Sequence, residues 1–186
     1  GDRRLPDGKW DWWLEGDPNI AYLRISHFSK RTAIEVAELI ERLLLKQSPK
    51  GLVIDLRGNS GGMLEGGVAL CDLFLEDGII AAVASDRLKD RADRKKIQQK
   101  WKATSGQMLK GVPIAILVDE FTASVAEIVA GCLQDHKRAT IVGSRSFGNA
   151  SVQTITSLSS GPGAIRLTTN EYQRPSGTSL NRSSTS

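Results

Sequence analysis

The chain has 186 residues, enough for one domain with a sizeable core. Apolar residues make up 40% and charged residues 25%, a globular composition. No apolar run reaches the roughly 18 residues that would span a membrane, and residues 1–9, G-D-R-R-L-P-D-G-K, lack the apolar stretch of a signal peptide. The net charge is +4, yet residues 87–102 alone carry eight basic and two acidic side chains. Without interleaved aromatics other than Trp101, that segment reads as a solvated helix rather than a nucleic-acid patch.

In chain order, W-D-W-W-L (10–14) and I-A-Y-L-R-I (20–25) read as strands around a G-D-P-N turn. Thr32 with Glu35 has the spacing of a capping box, and Ala33, Val36, Ala37, Ile40, Leu43 and Leu44 form a helical stripe to about Gln47. G-L-V-I-D-L (51–56) is a short buried strand running into R-G-N-S-G-G. A helix with Leu64, Val68, Cys71 and Leu75 inward follows, then a strand at 79–84 and the basic segment 87–104 as an exposed helix.

P-I-A-I-L-V (113–118) is another buried strand, followed by D-E-F-T-A-S and a helix with Val125, Ile128, Val129 and Cys132 inward. Residues 139–142 form a strand. S-V-Q-T-I-T and A-I-R-L-T-T form two more around Gly161-Pro162-Gly163. The polar residues from Ser176 onward predict a frayed end. Alternating strands and helices define an α/β class with a largely parallel core, and no internal repeat or linker divides it.

Cys71 and Cys132 lie within apolar helical patterns and read as buried free thiols. His27 and His136 have no ligand spacing, there is no C-x-x-C, and neither a metal nor a cofactor is expected. Chemistry concentrates at two strand-to-helix junctions, where helix N-termini present free N–H groups. The paired glycines of D-L-R-G-N-S-G-G allow a ligand close to the backbone. They could cradle a phosphate, form an oxyanion hole, or make a tight turn; no Walker lysine or G-x-G-x-x-G is present. At the second junction Ser124 opens a helix, as a cap or as a nucleophile.

Several segments carry a resemblance in order from about Ile20 to Gly177. These are Y-L-R-I-S-H-F, G-L-V-I-D-L-R-G-N-S-G-G, V-D-E-F-T-A-S-V-A-E-I-V-A-G, S-F-G-N-A-S-V-Q-T and L-T-T-N-E-Y-Q-R-P-S-G. Together they are similar to the carboxy-terminal processing peptidases, the tail-specific proteases of family S41. The resemblance implies a ClpP/crotonase-like α/β core with a mixed, largely parallel sheet and flanking helices. It implies a serine endopeptidase that cleaves proteins near their C-termini with a serine nucleophile, a lysine base and an assisting glutamine. Those roles fall on Ser124, Asn149 and Gln153; the oxyanion donors fall on the N–H groups of Gly62 and Val125. Gly61, Glu127, Asp135 and Ser146 fall on supporting positions.

The resemblance also implies a protein or peptide substrate bound as an extended strand, and an extracytoplasmic compartment such as the periplasm. On this reading residues 1–186 are one peptidase core. Residues 1–19 form a lead-in hairpin strand, 178–186 a frayed tail, and no PDZ domain lies within the chain. A crotonase-like acyl-CoA enzyme and a non-catalytic peptide-binding module share the fold. The family's F-G-K-G is F-G-N-A here, and an amide cannot hold the serine's proton. Asn149 is then a natural loss, an introduced change, or a sign that Lys137 or His136 substitutes. Ala150, at the family's glycine, would strain the loop if that position needs a positive φ.

Overall fold

The computed structural model describes residues 3–85, 97–104, 106–158, 161 and 163–181. A short ribbon, β1 (Arg3–Arg4) with β2 (Trp10–Asp11), leads in. A five-stranded sheet follows, built from β3 (Trp13–Leu14), β4 (Asp17–Arg24), β5 (Gly51–Asp55), β8 (Ile114–Val118) and β9 (Thr140–Gly143), side by side in that order. β4, β5, β8 and β9 run parallel and β3 antiparallel to β4. The apolar runs of β5 and β8 become its central strands, as two-sided burial demands.

Three helices join the sheet: α1 (Thr32–Leu44), α2 (Leu64–Phe74) and α3 (Val125–Asp135). α2 packs on both α1 and α3. Residues 125–133 of α3 are all buried, so this helix is apolar around its whole circumference except at Glu127. Ile54, Ile116, Leu70, Phe74, Val129 and Leu133 belong to one buried cluster shared by the helices and the sheet. Cys71 and Cys132 are both fully buried and free.

The remaining strands form a second, wholly antiparallel sheet in the order β10 (Ser151–Ser157), β11 (Ala164–Gln173), β6 (Ile79–Ser85), β7 (Ile97–Lys102). The largely parallel core expected from the sequence is thus accompanied by an antiparallel sheet of four strands. The basic segment read as a helix is a strand over Ile97–Lys102, where β7 gains a partner in β6; residues 87–96 lie outside the described residues. The turn expected at 16–19 is also corrected, since Asp17 already begins β4.

Two further expectations change. Thr32 does not cap α1: its hydroxyl accepts the Ser29 N–H (2.9 Å) and Glu35 pairs with Arg31. Nor is the chain frayed from Ser176 to Asn181. Ser179 bridges to Gln173, and the Asn181 side chain accepts the Ala150 N–H (2.8 Å). Arg174 holds this return to α3 through Asp135 and the Gln134 side chain (2.8 Å).

Candidate active site

The carboxyl ends of β5 and β8 are neighbours in the sheet, so the loops leaving them face each other. Buried side chains fix those loops. Asn59 donates from Nδ2 to Ile25 O (2.7 Å), accepts the Gly61 N–H at Oδ1 (2.8 Å), and its carbonyl accepts the Ala123 N–H (2.9 Å). Thr122 donates its hydroxyl to Leu56 O (2.9 Å). Asp119 Oδ1 accepts the N–H groups of Gly58, Phe121 and Thr122. Burial pushes the Asp119 carboxyl up, but these donors and the Thr122 hydroxyl outweigh it and hold it below the ordinary value.

Ser124 sits between β8 and α3 with φ 56° and ψ −122°, backbone that a non-glycine residue rarely adopts. Such a conformation costs about 1–3 kcal/mol and persists only where surroundings impose it. Here the constraint comes from both sides. Gly61 lies so close that an added Cβ would stand 2.9 Å from Ser124 Cβ and 3.1 Å from Val125 N. On the other side, Glu127 Oε2 accepts the Ser124 N–H (3.0 Å).

Gly62, at φ 138°, is bridged to Phe28; Gly61 O accepts the Phe28 N–H (2.9 Å) and Phe28 O the Met63 N–H (2.8 Å). In that parallel pattern the Gly62 N–H faces away from Phe28. Val125 N–H is the first donor of α3, one of the orphan groups a helix leaves at its start. No hydrogen bond occupies either N–H among the described residues. One open donor, Val125 N–H, directly follows Ser124 at the start of a buried helix whose dipole favours negative charge there, and the other, Gly62 N–H, directly follows Gly61, which packs on Ser124.

Glu127 organises the opposite wall. Only 3% exposed, its carboxylate takes the Ser146 hydroxyl (2.7 Å) and the Gly148 N–H (2.7 Å) on Oε1, and the N–H groups of Ser124 (3.0 Å) and Asn149 (2.9 Å) on Oε2. Asn149 therefore stands beside Ser124 through its backbone. Its side chain is exposed and turned forward, where Oδ1 accepts the Ser151 hydroxyl (2.7 Å) and N–H (3.3 Å).

Gln153 is exposed on β10 and accepts from Arg166. Asp135 is not brought to this site: it lies at the other end of α3, about 16 Å along the axis, and anchors Arg174 and the Ser176 N–H (3.1 Å). His136 and Lys137 follow it, and His136 Nε2 is bonded to Ile79 O (2.7 Å), so neither can serve Ser124. Ala150 does not have a positive φ; it is buried, and its carbonyl accepts the Tyr172 N–H (2.8 Å). The expected strain is absent, and the positive φ in this loop falls on Gly148.

Sequence reasoning missed Asn59, Thr122 and Asp119, the residues that lock the two loops together. It also missed that the His27 ring abuts Gly62, with Cε1 2.9 Å from where a Cβ would stand. Turn-forming Asn, Thr and Asp between strand and helix were the available signal.

A serine held in strained backbone near two open N–H donors, on an α/β scaffold, is the arrangement of a serine hydrolase. The model of "Peptidase family S41" matches residues 19–185. The carboxy-terminal-processing protease of Bartonella bacilliformis is 41% identical over 170 residues, which cover 90% of this chain and 37% of that protein. The chloroplastic C-terminal processing peptidase of Tetradesmus obliquus is 32% identical, over 88% of this chain and 33% of that protein. Among solved structures, the photosystem II D1 C-terminal processing protease superposes with a TM-score of 0.74 at 33% identity, covering 87% of this chain and 39% of that one. The chain belongs to the S41 serine peptidases, with their ClpP/crotonase-like α/β fold, and spans about a third of the length of the curated relatives it matches.

Proposed function

We propose that this chain is the core of a serine endopeptidase of the carboxy-terminal processing type, in which Asn149 stands where the family carries its lysine base. Ser124 is the nucleophile, and the N–H groups of Gly62 and Val125 receive the oxyanion. Glu127, Ser146 and Gly61 hold the loops in place. When the Ser124 hydroxyl attacks a peptide carbonyl, its proton must leave as the C–O bond forms. The Asn149 amide cannot take that proton, so hydrolysis is lost or strongly impaired. Asp135 drops out of the site and Gln153 is retained as the assisting residue only on its family position.

The observation that carries this reading is the strained Ser124 near two unoccupied donors in an S41 chain. A second reading, a pseudo-peptidase that binds peptide without cutting it, is favoured by Asn149 Oδ1 being held by Ser151. In both, substrate is an unfolded protein end lying as an extended strand, secured mainly by backbone hydrogen bonds. The compartment is extracytoplasmic.

Calorimetry with apolar-ended peptides, followed by mass spectrometry of the same mixture, tests both readings. Weak binding with intact peptide is the expected result. Rapid cleavage that disappears in Ser124→Ala would show that another group is the base. No heat at millimolar peptide would rule out an intact groove.

A further inference from the structure

We propose that a second pocket beside the Ser124 site receives an arginine or lysine side chain of the bound peptide. This rests on the reading of the chain as a peptide-binding S41 core. The pocket is a cleft of about 670 Å³ between the first turn of α2 and one face of the antiparallel sheet. Among the described residues Glu65 supplies the one carboxylate, the sheet supplies Trp101, Tyr172, Gln99 and Asn170, and Val152 closes one side.

Its position follows from the chain. Leu64 and Glu65 come directly after the Gly62–Met63 turn, on the oxyanion side of Ser124. Val152 comes directly after Ser151, the partner of Asn149, on the other side. The cleft is thus bordered by both walls of the candidate active site. A peptide crossing Ser124 between those walls would lay a neighbouring side chain into it.

Its chemistry selects the occupant. Trp101 and Tyr172 sit with ring centroids 6.5 Å apart and planes tilted by 51°, and both pack on the core, so their positions are fixed. Indole and phenol faces attract cations. Gln99 and Asn170 add amide side chains, and Glu65 adds the charge. Among the described residues no basic side chain lines the cleft. Lys100 neighbours Trp101 on β7, but alternation along a strand puts it on the opposite face. The negative charge of Glu65 is felt at the far wall: the Tyr172 phenol is pushed up by burial first and by Glu65 second. Glu65 also complements the N-terminus of α2. That role does not require the aromatic floor or the two amides opposite.

The test uses unstructured peptides identical except for one position, scanned along the peptide as Arg, Lys, Leu or Glu. Binding is measured by calorimetry to the full chain and to Glu65→Gln. In parallel, Nα-acetyl-arginine amide is titrated while the Trp101 indole resonance, assigned with Trp101→Phe, is followed by NMR. At one peptide position Arg and Lys should bind about tenfold tighter than Leu, with Glu the weakest. Glu65→Gln should erase the difference between the Arg and Leu peptides, and the amide should shift Trp101 in wild type only. Peptides that bind regardless of charge, with no Trp101 shift, would overturn the pocket and leave the groove standing. A Trp101 shift lost in Glu65→Gln, with no peptide binding, would support the pocket and sink the groove. Failure of both would overturn both.

Discussion

Ser124 and Asn149 donate their backbone N–H groups to the same atom, Oε2 of Glu127, at 3.0 and 2.9 Å. One buried carboxylate therefore sets the distance between the loop that carries Ser124 and the loop that carries Asn149. The remaining oxygen binds Ser146 and Gly148 of that second loop. The site is organised around a buried acid at the third residue of α3, in a stretch, Val125–Leu133, that is otherwise apolar core.

Glu127→Gln should lower stability by about 2–4 kcal/mol, because an amide keeps one acceptor oxygen and points an NH₂ group at N–H donors. Urea unfolding measures it. A loss below about 0.5 kcal/mol would mean that the four hydrogen bonds are not jointly needed. Glu120→Gln, which alters an exposed contact to Ser144, should change stability little.

Gly62→Ala should be destabilising and should disorder the Gly61–Met63 turn. Its Cβ would meet Phe28 O at 2.3 Å and Phe28 N at 2.8 Å, and φ is 138°. Backbone atoms cannot rotate out of the way as a side-chain tip can, so the Phe28 bridge must break. A melting temperature several degrees below wild type is expected. An unchanged value would mean that the loop relaxes at no cost.

The parallel strands, their order of appearance and the Ser124 junction were legible because β5 and β8 are unbroken apolar runs ending in turn residues. The antiparallel sheet was not. I-Q-Q-K-W-K in β7 has the polarity of a solvated helix, and only pairing with β6 makes it a strand. Asp135 falls among the supporting residues by the resemblance alone; the helix rise carries it to the far end of α3, where Arg174 claims it. Thr32 and Glu35 have capping-box spacing, but burial of Thr32 turns its hydroxyl to Ser29.

Acid should unlatch the C-terminal return before it unfolds the sheet. Burial pushes the Asp135 carboxyl up, but Arg174 and Ser176 outweigh it and hold it below the ordinary range. A depressed carboxyl contributes stability that is present above its unfolded pKa of about 3.9 and lost as pH falls through the folded value. Wild type should therefore lose stability as pH is lowered past about 4, and Asp135→Asn should show a flatter decline in the same window. At pH 7 that variant should be less stable by about 1–3 kcal/mol. Parallel curves for the two proteins would assign the acid sensitivity elsewhere, with Asp55 next in line.

Asn149→Lys alone should raise hydrolysis of casein or a fluorogenic peptide by about 10²–10⁴-fold, and Ser124→Ala should abolish the gain. Position 149 is already tied to Ser124 by Glu127, so a longer, basic side chain needs only to turn from Ser151 towards the Ser124 hydroxyl. No change at Ala150 is required. It is not in the left-handed region, its methyl is buried, and its N–H and carbonyl are bonded to Asn181 and Tyr172. Ala150→Gly should instead cost about 0.5–1 kcal/mol by loosening the unfolded chain and emptying a packed site. Added to Asn149→Lys, it should leave the rate level or lower. Activity should climb with pH as the introduced amine loses its proton, because only the neutral form accepts one from Ser124. A folded Asn149→Lys protein no faster than wild type would show that the base position is wrong or that this span needs more of the longer family protein to act. Wild type that already cleaves through Ser124 would show that the proton goes to a group other than residue 149.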